Sequence, residues 1–458
     1  MSPMAAVFLL FKGGYMSELR IRKIVGKEGR PVEFPTGILI GGGGVGGNNN
    51  IGIPGQAGFG VGVCPGPLPD GMQPLSNVAD VLSDNYGNYC FSDGSVQVWI
   101  PAFYYKWGSG ANGIALNDVD IKWFSFFSSV AAANAAGYAL HRAFYDGGAV
   151  KSGVFVDKYQ CSNNAGIASS LKNGNPLSSA GDHNPFSALN GAPANNYGGA
   201  IAAAKTRGAA FFCNTRFIFA ALAMLAYAHA RAASSTAHCA WWDATGVTSY
   251  PKGCNNNALG DVNDGDIRYL SDGYSNCGKT GSANLFARTT HNGQNSGVAD
   301  LNGDLWEVTP GLTSDGSALY ALKTTARMRD VTGGSGAATD LWGAAGITAL
   351  YDSLGATHES LTASNSAKYY GAAAQVLSAA TSGAGWVGAG LGVPLQGGVG
   401  GTNAFGGDGL WDYKPGEMCP ISGGYWGDGS MAGAWALNLA NVRATSNGSV
   451  GFRAALYL

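Results

Sequence analysis

Cys64, Cys90, Cys161, Cys213, Cys239, Cys254, Cys277 and Cys419 are scattered along the chain without one Cys-x-x-Cys pair. The spacing of a structural zinc site is therefore missing. The thiols are expected either as buried free groups or in disulfides whose pairing the sequence does not fix. His141, His183, His238, His291 and His358 stand in unrelated contexts. There is no Gly-x-Ser-x-Gly elbow and no His-Glu-x-x-His helix around them, so hydrolase and zinc-protease chemistry is not predicted. His229 closes an apolar helical stretch and is expected to be structural, stabilised by the helix C-terminus. Asp261 to Asp266 and Asp300 to Asp304 are oxygen-rich loops of the kind calcium uses, but neither follows EF-hand spacing. Asp and Asn in such loops also cap their own turns. No catalytic residue and no metal ligand is assigned, and a structural calcium at these loops is the one cofactor option.

The remaining chemistry lies in recognition, within the block from Cys419 to Leu458. Gly423 and Gly424 let the backbone turn tightly before Trp426, whose indole is expected to pack inward. In Val450 to Leu458 the apolar Phe452, Ala454, Leu456 and Leu458 alternate, which predicts a terminal strand inserted in a sheet. Arg453 falls on the other face, and Glu307 is the natural acid to pair with it in a structural salt bridge.

Several elements must position this block. Thr215 to Ala233 carries Ala, Leu, Met and Phe on almost every face without Gly or Pro, predicting one buried helix. Val96 to Pro101 alternates and ends at a proline, as a strand does. From Asp243 to Thr332 turn formers dominate, predicting a loop-rich fold. The tract from Gly41 to Gly62 reads as a linker, with the compact domain starting near Tyr86. Only 12% of the 458 residues are charged against 46% apolar, so the surface must be polar without being ionic. A formal net charge of -2 and the lack of a Lys/Arg run argue against nucleic acid as partner. Ala5 to Phe11 is too short and lacks the basic flank of a secretory signal, and no apolar stretch reaches spanning length, so membrane insertion is not expected.

Six motifs in order resemble the formylglycine-generating type of C-type-lectin-like domain: Val96 to Phe103, Val154 to Gln160, the helix from Thr215, Asn302-Gly303-Asp304-Leu305-Trp306-Glu307, Gly423-Gly424-Tyr425-Trp426 and Val450-Gly451-Phe452-Arg453. The resemblance implies an α+β fold, loop-rich, with few helices and small antiparallel sheets. Within that superfamily, Cys419 to Leu458 looks most like the variable proteins of diversity-generating retroelements, many of them on phage tail fibres. In these, fixed scaffold residues alternate with positions mutated at the adenines of Asn codons. Such changes of AAC give Tyr, Ser, Thr, Gly, Ala, Asp and similar residues, but never Met or Trp. Tyr425, Gly427, Asp428, Ser430, Ala440, Ala444, Thr445, Asn447, Gly448 and Ser449 fit that repertoire and become the expected ligand-facing positions. Gly423, Gly424, Trp426, Gly433, Trp435, Leu437, Asn438, Leu439, Asn441, Gly451, Phe452 and Arg453 become the scaffold. Met431 and Trp435 fail the codon test, and an exposed face is nevertheless expected around Tyr425, Asp428 and Trp435.

The resemblance implies a non-enzymatic, hypervariable receptor-binding adhesin at a phage tail-fibre tip. It would be a homotrimer on the virion, joined to phage tail proteins and recognising a host cell-surface protein or glycan. Residues 1–62 would be an attachment or oligomerisation arm with its linker, or a disordered lead, and Arg20 to Phe34 resembles short N-terminal pieces of phage tail proteins. Residues 63–458 would be the binding domain, variable over about 419–458. Two alternatives stay open: a structural virion or surface adhesin without hypervariation, and a formylglycine-generating oxidase. The latter needs paired cysteines near the C-terminus, where only Cys419 is present.

Overall fold

In the computed structural model the described residues are 49–331, 349–355, 367–370, 374–395 and 405–458. Residues 1–48 of the attachment arm expected over 1–62 lie outside them. Their architecture is mixed α+β, with short strands and long irregular connections. Arg216–Ala232 is the one long helix among them, capped by the Thr215 hydroxyl on the Ile218 N–H and buried through His229. A helix apolar on nearly every face must be surrounded, and this one lies inside the main core. None of the described helices is long and apolar enough to cross a membrane.

The first sheet is antiparallel throughout, in the spatial order Met72–Pro74, Asn88–Phe91, Val96–Pro101, Gly153–Asp157, Ala454–Leu456, Phe212–Cys213. The terminal strand is thus inserted between two others. The second sheet runs Ala367–Tyr369, Gly409–Trp411, Leu437–Asn438, Ile421–Ser422, Trp306–Val308, Val450–Gly451. Two of its pairings are parallel, so it departs from the expected antiparallel pattern.

Arg453 joins the two sheets. It sits beside the strand Ala454–Leu456, and its Nε donates to Glu307 Oε2 at 2.7 Å while its other nitrogens reach the carbonyls of Asp157 and Ala299. Both side chains are sealed from water, at 0% and 1% exposure.

The tract expected to be a linker up to Gly62 is docked from Asn49 onward, so the compact part begins well before Tyr86. Ile51, Phe59 and Val61 are buried. Phe59 stacks on the His229 ring, whose Nδ1 accepts from the Gly55 N–H at 2.9 Å. Asn292 and Gln294 bond the same strap at Phe59 O and Gly58 N. Gly and Asn, which suggest looseness by composition, here let backbone lie flat against a helix end. His229 is therefore structural, its Nε2 donating to the His238 carbonyl.

All eight cysteines are free thiols. The oxygen-rich loops turn their carboxylates onto the domain's own donors: Asp261 accepts from Gly253 N, Asn263 N and Asn255, Asp300 from Gly281 N and Tyr269, and Asp304 from Gly278 N.

Candidate functional site

The register of the second sheet puts six side chains on one face. Trp411 pairs with Asn438, Asn438 with Ile421, Ile421 with Val308, and Trp306, two residues from Val308, pairs with Val450. Because side chains alternate along strands, residues in one such row share a face. The opposite face carries Leu410, Leu437, Ser422 and Glu307, turned to the interior, where Ser422 Oγ accepts from Arg216 and Glu307 holds Arg453.

Two loops close a cleft of about 330 Å³ over the first face, adding Tyr425, Trp426, Asp428, Asn441, Asn447 and Ser449 to Trp306, Trp411, Ile421, Asn438 and Val450. The first loop depends on Gly423 and Gly424, whose φ values of +98° and +87° disfavour any side chain. A Cβ at Gly424 would also stand 2.5 Å from the Ala432 Cβ. The turn delivers Trp426 into a small second core with Cys254, Ile267, Tyr269, Cys277 and Leu305. Tyr425 stays at the mouth.

The second loop is clamped from outside the block. Asn447 N donates to Ser179 Oγ, Ser179 N donates to the Val450 carbonyl, and Nδ1 of His183 meets the Gly448 carbonyl at 2.6 Å. His183 Nε2 meets Asp272 at 2.6 Å, and Tyr274 stacks on the imidazole with ring centres 4.0 Å apart. His183, Asp272 and Cys277 bring ligand-type atoms within 4.8 Å of one another, yet both imidazole nitrogens are already engaged in holding the loop.

Asp428 is the ionisable group of the cleft. Its carboxylate accepts from the Tyr425 N–H at 3.0 Å and from the Trp306 side chain, but burial dominates and pushes its pKa up to about 7. A carboxyl raised in the folded state contributes stability that is fully present below its unfolded value near 4 and is lost as pH rises through about 7. Ionisation should thus cost the fold on the order of 2–4 kcal/mol by pH 8. Asp428→Asn is expected to melt above the parent at pH 8 and with it at pH 4 by scanning calorimetry. Parallel melting curves for both proteins across that range would refute the assignment.

The ten expected ligand-facing positions divide. Tyr425, Asp428, Asn447 and Ser449 line the cleft. Gly427, Ser430, Ala440, Ala444 and Thr445 are exposed or half-buried but outside its lining. Gly448 is buried, and a Cβ there would lie 2.8 Å from the hydroxyl of the half-buried Tyr274, which would have to shift to admit a larger residue. Ser449 is also largely buried, its N–H and hydroxyl both tied to Asn447 Oδ1.

Of the scaffold set, Gly423, Gly424, Trp426, Trp435, Gly451, Phe452 and Arg453 are buried, whereas Asn438 and Asn441 open onto the cleft. The exposed face expected around Trp435 does not form. Its indole is sealed among Trp107, Tyr227, Tyr370 and Phe405. Trp411 escapes sequence reasoning altogether, since its three-residue strand, Gly409–Trp411, is too short to show alternation. Cys419 is buried as well, and desolvation pushes its thiol far above the ordinary range, away from the reactive thiolate.

No family profile matches the chain, and no curated protein matches it. Among solved structures, "Major Tropism Determinant U1 Variant" is similar over 80% of this chain and 65% of that one, at 10% identity and a TM-score of 0.30. The chain thus spans under two thirds of that structure's length.

Proposed function

We propose that this chain is a non-enzymatic ligand-binding protein of C-type-lectin-like fold, formylglycine-generating subtype. Its C-terminal cleft recognises a host cell-surface protein or glycan, and adenine-directed retrohoming diversifies it. The setting is a phage tail-fibre tip, with three copies joined to tail proteins on the virion. Linked copies would raise avidity by roughly two to four orders of magnitude.

The observation that carries this reading is the convergence of two independent sets of residues. Tyr425, Asp428 and Asn447, chosen by the resemblance of the block and by the codon repertoire, meet in one cleft with tryptophans from distant strands. Recognition by a few aromatic anchors surrounded by adaptable polar groups is how hot spots and diversified paratopes work. The burial of Gly448 and Ser449 favours, as a second reading, a fixed adhesin with the same cleft. The oxidase alternative loses support, because the single C-terminal thiol is buried and held protonated.

Binding of the full chain to whole host cells is expected to fall about tenfold or more in a Tyr425→Ala, Asp428→Ala double variant. Unchanged binding would remove the cleft from the function. DNA downstream of the gene should carry a near-copy of the final coding segment, with AAC or AAT at the codons for Tyr425, Gly427, Asp428 and Ala440, beside a reverse-transcriptase gene. If both are missing, the diversification part fails and the fixed adhesin stands.

A further inference from the structure

The cleft has an aromatic composition that its role as a ligand site alone does not explain. Four of its lining residues are Trp306, Trp411, Tyr425 and Trp426. They form two edge-on pairs: Trp306 against Trp411 at 5.4 Å and 83°, and Tyr425 against Trp426 at 5.2 Å and 69°. Rings set at steep angles enclose a compact group from several sides.

Asp428 spans the two pairs, since its carboxylate accepts from the Trp306 side chain and from the Tyr425 N–H. No lysine or arginine among the described residues shares that carboxylate or contributes to its electrostatics. The wall therefore combines negative ring faces with one acid that lacks a cation. The rim is of a different kind. Oδ1 of Asn438 is occupied by the Ala440 N–H, and Oδ1 of Asn447 by Ser449. Their NH₂ groups remain as donors suited to oxygens flanking a ligand's charged head. Aromatic rings around an acid are the arrangement that recognises quaternary ammonium groups, through attraction of the cation to the rings.

We propose that the ligand enters this cleft with an N-alkylated ammonium group, caged by Trp306, Trp411, Tyr425 and Trp426 and paired with Asp428. The inference rests on the reading of the cleft as the ligand site. It adds a division of labour: the three tryptophans are constant walls, while Tyr425 and Asp428, within the codon repertoire, tune the cage. Two sources carry the group, a choline-type headgroup on a cell-surface polymer or lipid and a trimethylated lysine in a protein.

The test is titration of the full chain, by calorimetry at constant ionic strength, with choline, with its uncharged isostere 3,3-dimethyl-1-butanol, and with methyl α-glucoside. Choline is expected to bind about tenfold or more tightly than the isostere, and Trp411→Ala and Asp428→Asn each to weaken it about tenfold. Near-UV circular dichroism of each variant separates lost binding from lost folding. Phosphocholine and a trimethyllysine peptide, compared as competitors, assign the source. Equal binding of choline and the isostere, binding of the glucoside alone, or binding of none of the three overturns the proposal. Cell binding measured in parallel keeps the two readings apart. Cells bound through the cleft but not released by choline overturn this inference only, whereas cell binding indifferent to Tyr425 and Asp428 overturns the earlier one.

Discussion

Arg453→Met is expected to destabilise the fold by about 3–5 kcal/mol, the cost of leaving the partner of a buried ion pair uncompensated. Glu307 would lose both of its guanidinium contacts and keep Gln160 as its remaining side-chain donor among the described residues, at 1% exposure. The carbonyls of Asp157 and Ala299 would lose their donors at the same time. Glu307→Gln should be milder, since it keeps the shape and part of the hydrogen bonding. The double change Arg453→Met, Glu307→Leu should recover much of the loss, because exchanging a whole buried pair for apolar residues is often neutral or stabilising. Urea denaturation of the four proteins measures this, and an Arg453→Met cost below about 1 kcal/mol would contradict the buried pair. The consequence reaches the cleft. Glu307 is next to Trp306 and pairs with Gly451, so the bond that ties the sheets also fixes one aromatic wall and the start of the terminal strand. Ligand affinity should therefore fall in Arg453→Met even at temperatures where the protein remains folded.

This pair is legible in the amino-acid sequence, and the reason is local. Gly451-Phe452-Arg453 precedes an alternating strand, alternation sets Arg453 on the face opposite the apolar residues, and the Trp306-Glu307 motif offers an acid to pair with it. The long helix and Val96–Pro101 are legible for the same reason, since each is long enough to show a period. The second sheet is not. Ile421–Ser422, Leu437–Asn438 and Val450–Gly451 are two residues each, too short for any period, and their pairing is set by tertiary contacts such as the Arg216 bond to Ser422. The cleft's loop residues are therefore visible as types, while its floor is not: Trp411 comes from a strand that alternation cannot reveal. The strap over residues 49–62 misleads for a related reason. Its composition says only that the backbone can adopt unusual angles, and the partner that fixes them, the end of the long helix with Asn292 and Gln294, is remote in sequence.

Trp435→Ala should cost about 3–5 kcal/mol, the range for emptying a large aromatic from a packed core. The indole is fully buried, with ring centres 5.6 Å from Phe405, 5.9 Å from Tyr370, 6.1 Å from Tyr227 and 6.3 Å from Trp107. Four rings lose a partner at once, and neighbours of that size do not collapse into the space. Thr445→Tyr and Ser430→Tyr, a few residues away in the same block, should each change stability by less than about 0.5 kcal/mol, because both positions reach solvent. Gly448→Tyr should behave like the core, displacing Tyr274 and with it the His183 clamp on the loop. The four variants thus sort by the room each side chain has. Codon chemistry sorts them otherwise, since it admits Gly448 with Thr445 and Ser430. Thermal unfolding of all four decides between the two orderings. If Gly448→Tyr melts with Thr445→Tyr, the loop yields to substitution and Gly448 returns to the ligand-facing set. If it melts with Trp435→Ala, packing leaves Tyr425, Asp428, Asn447 and the exposed turns around them as the positions of the block that tolerate change.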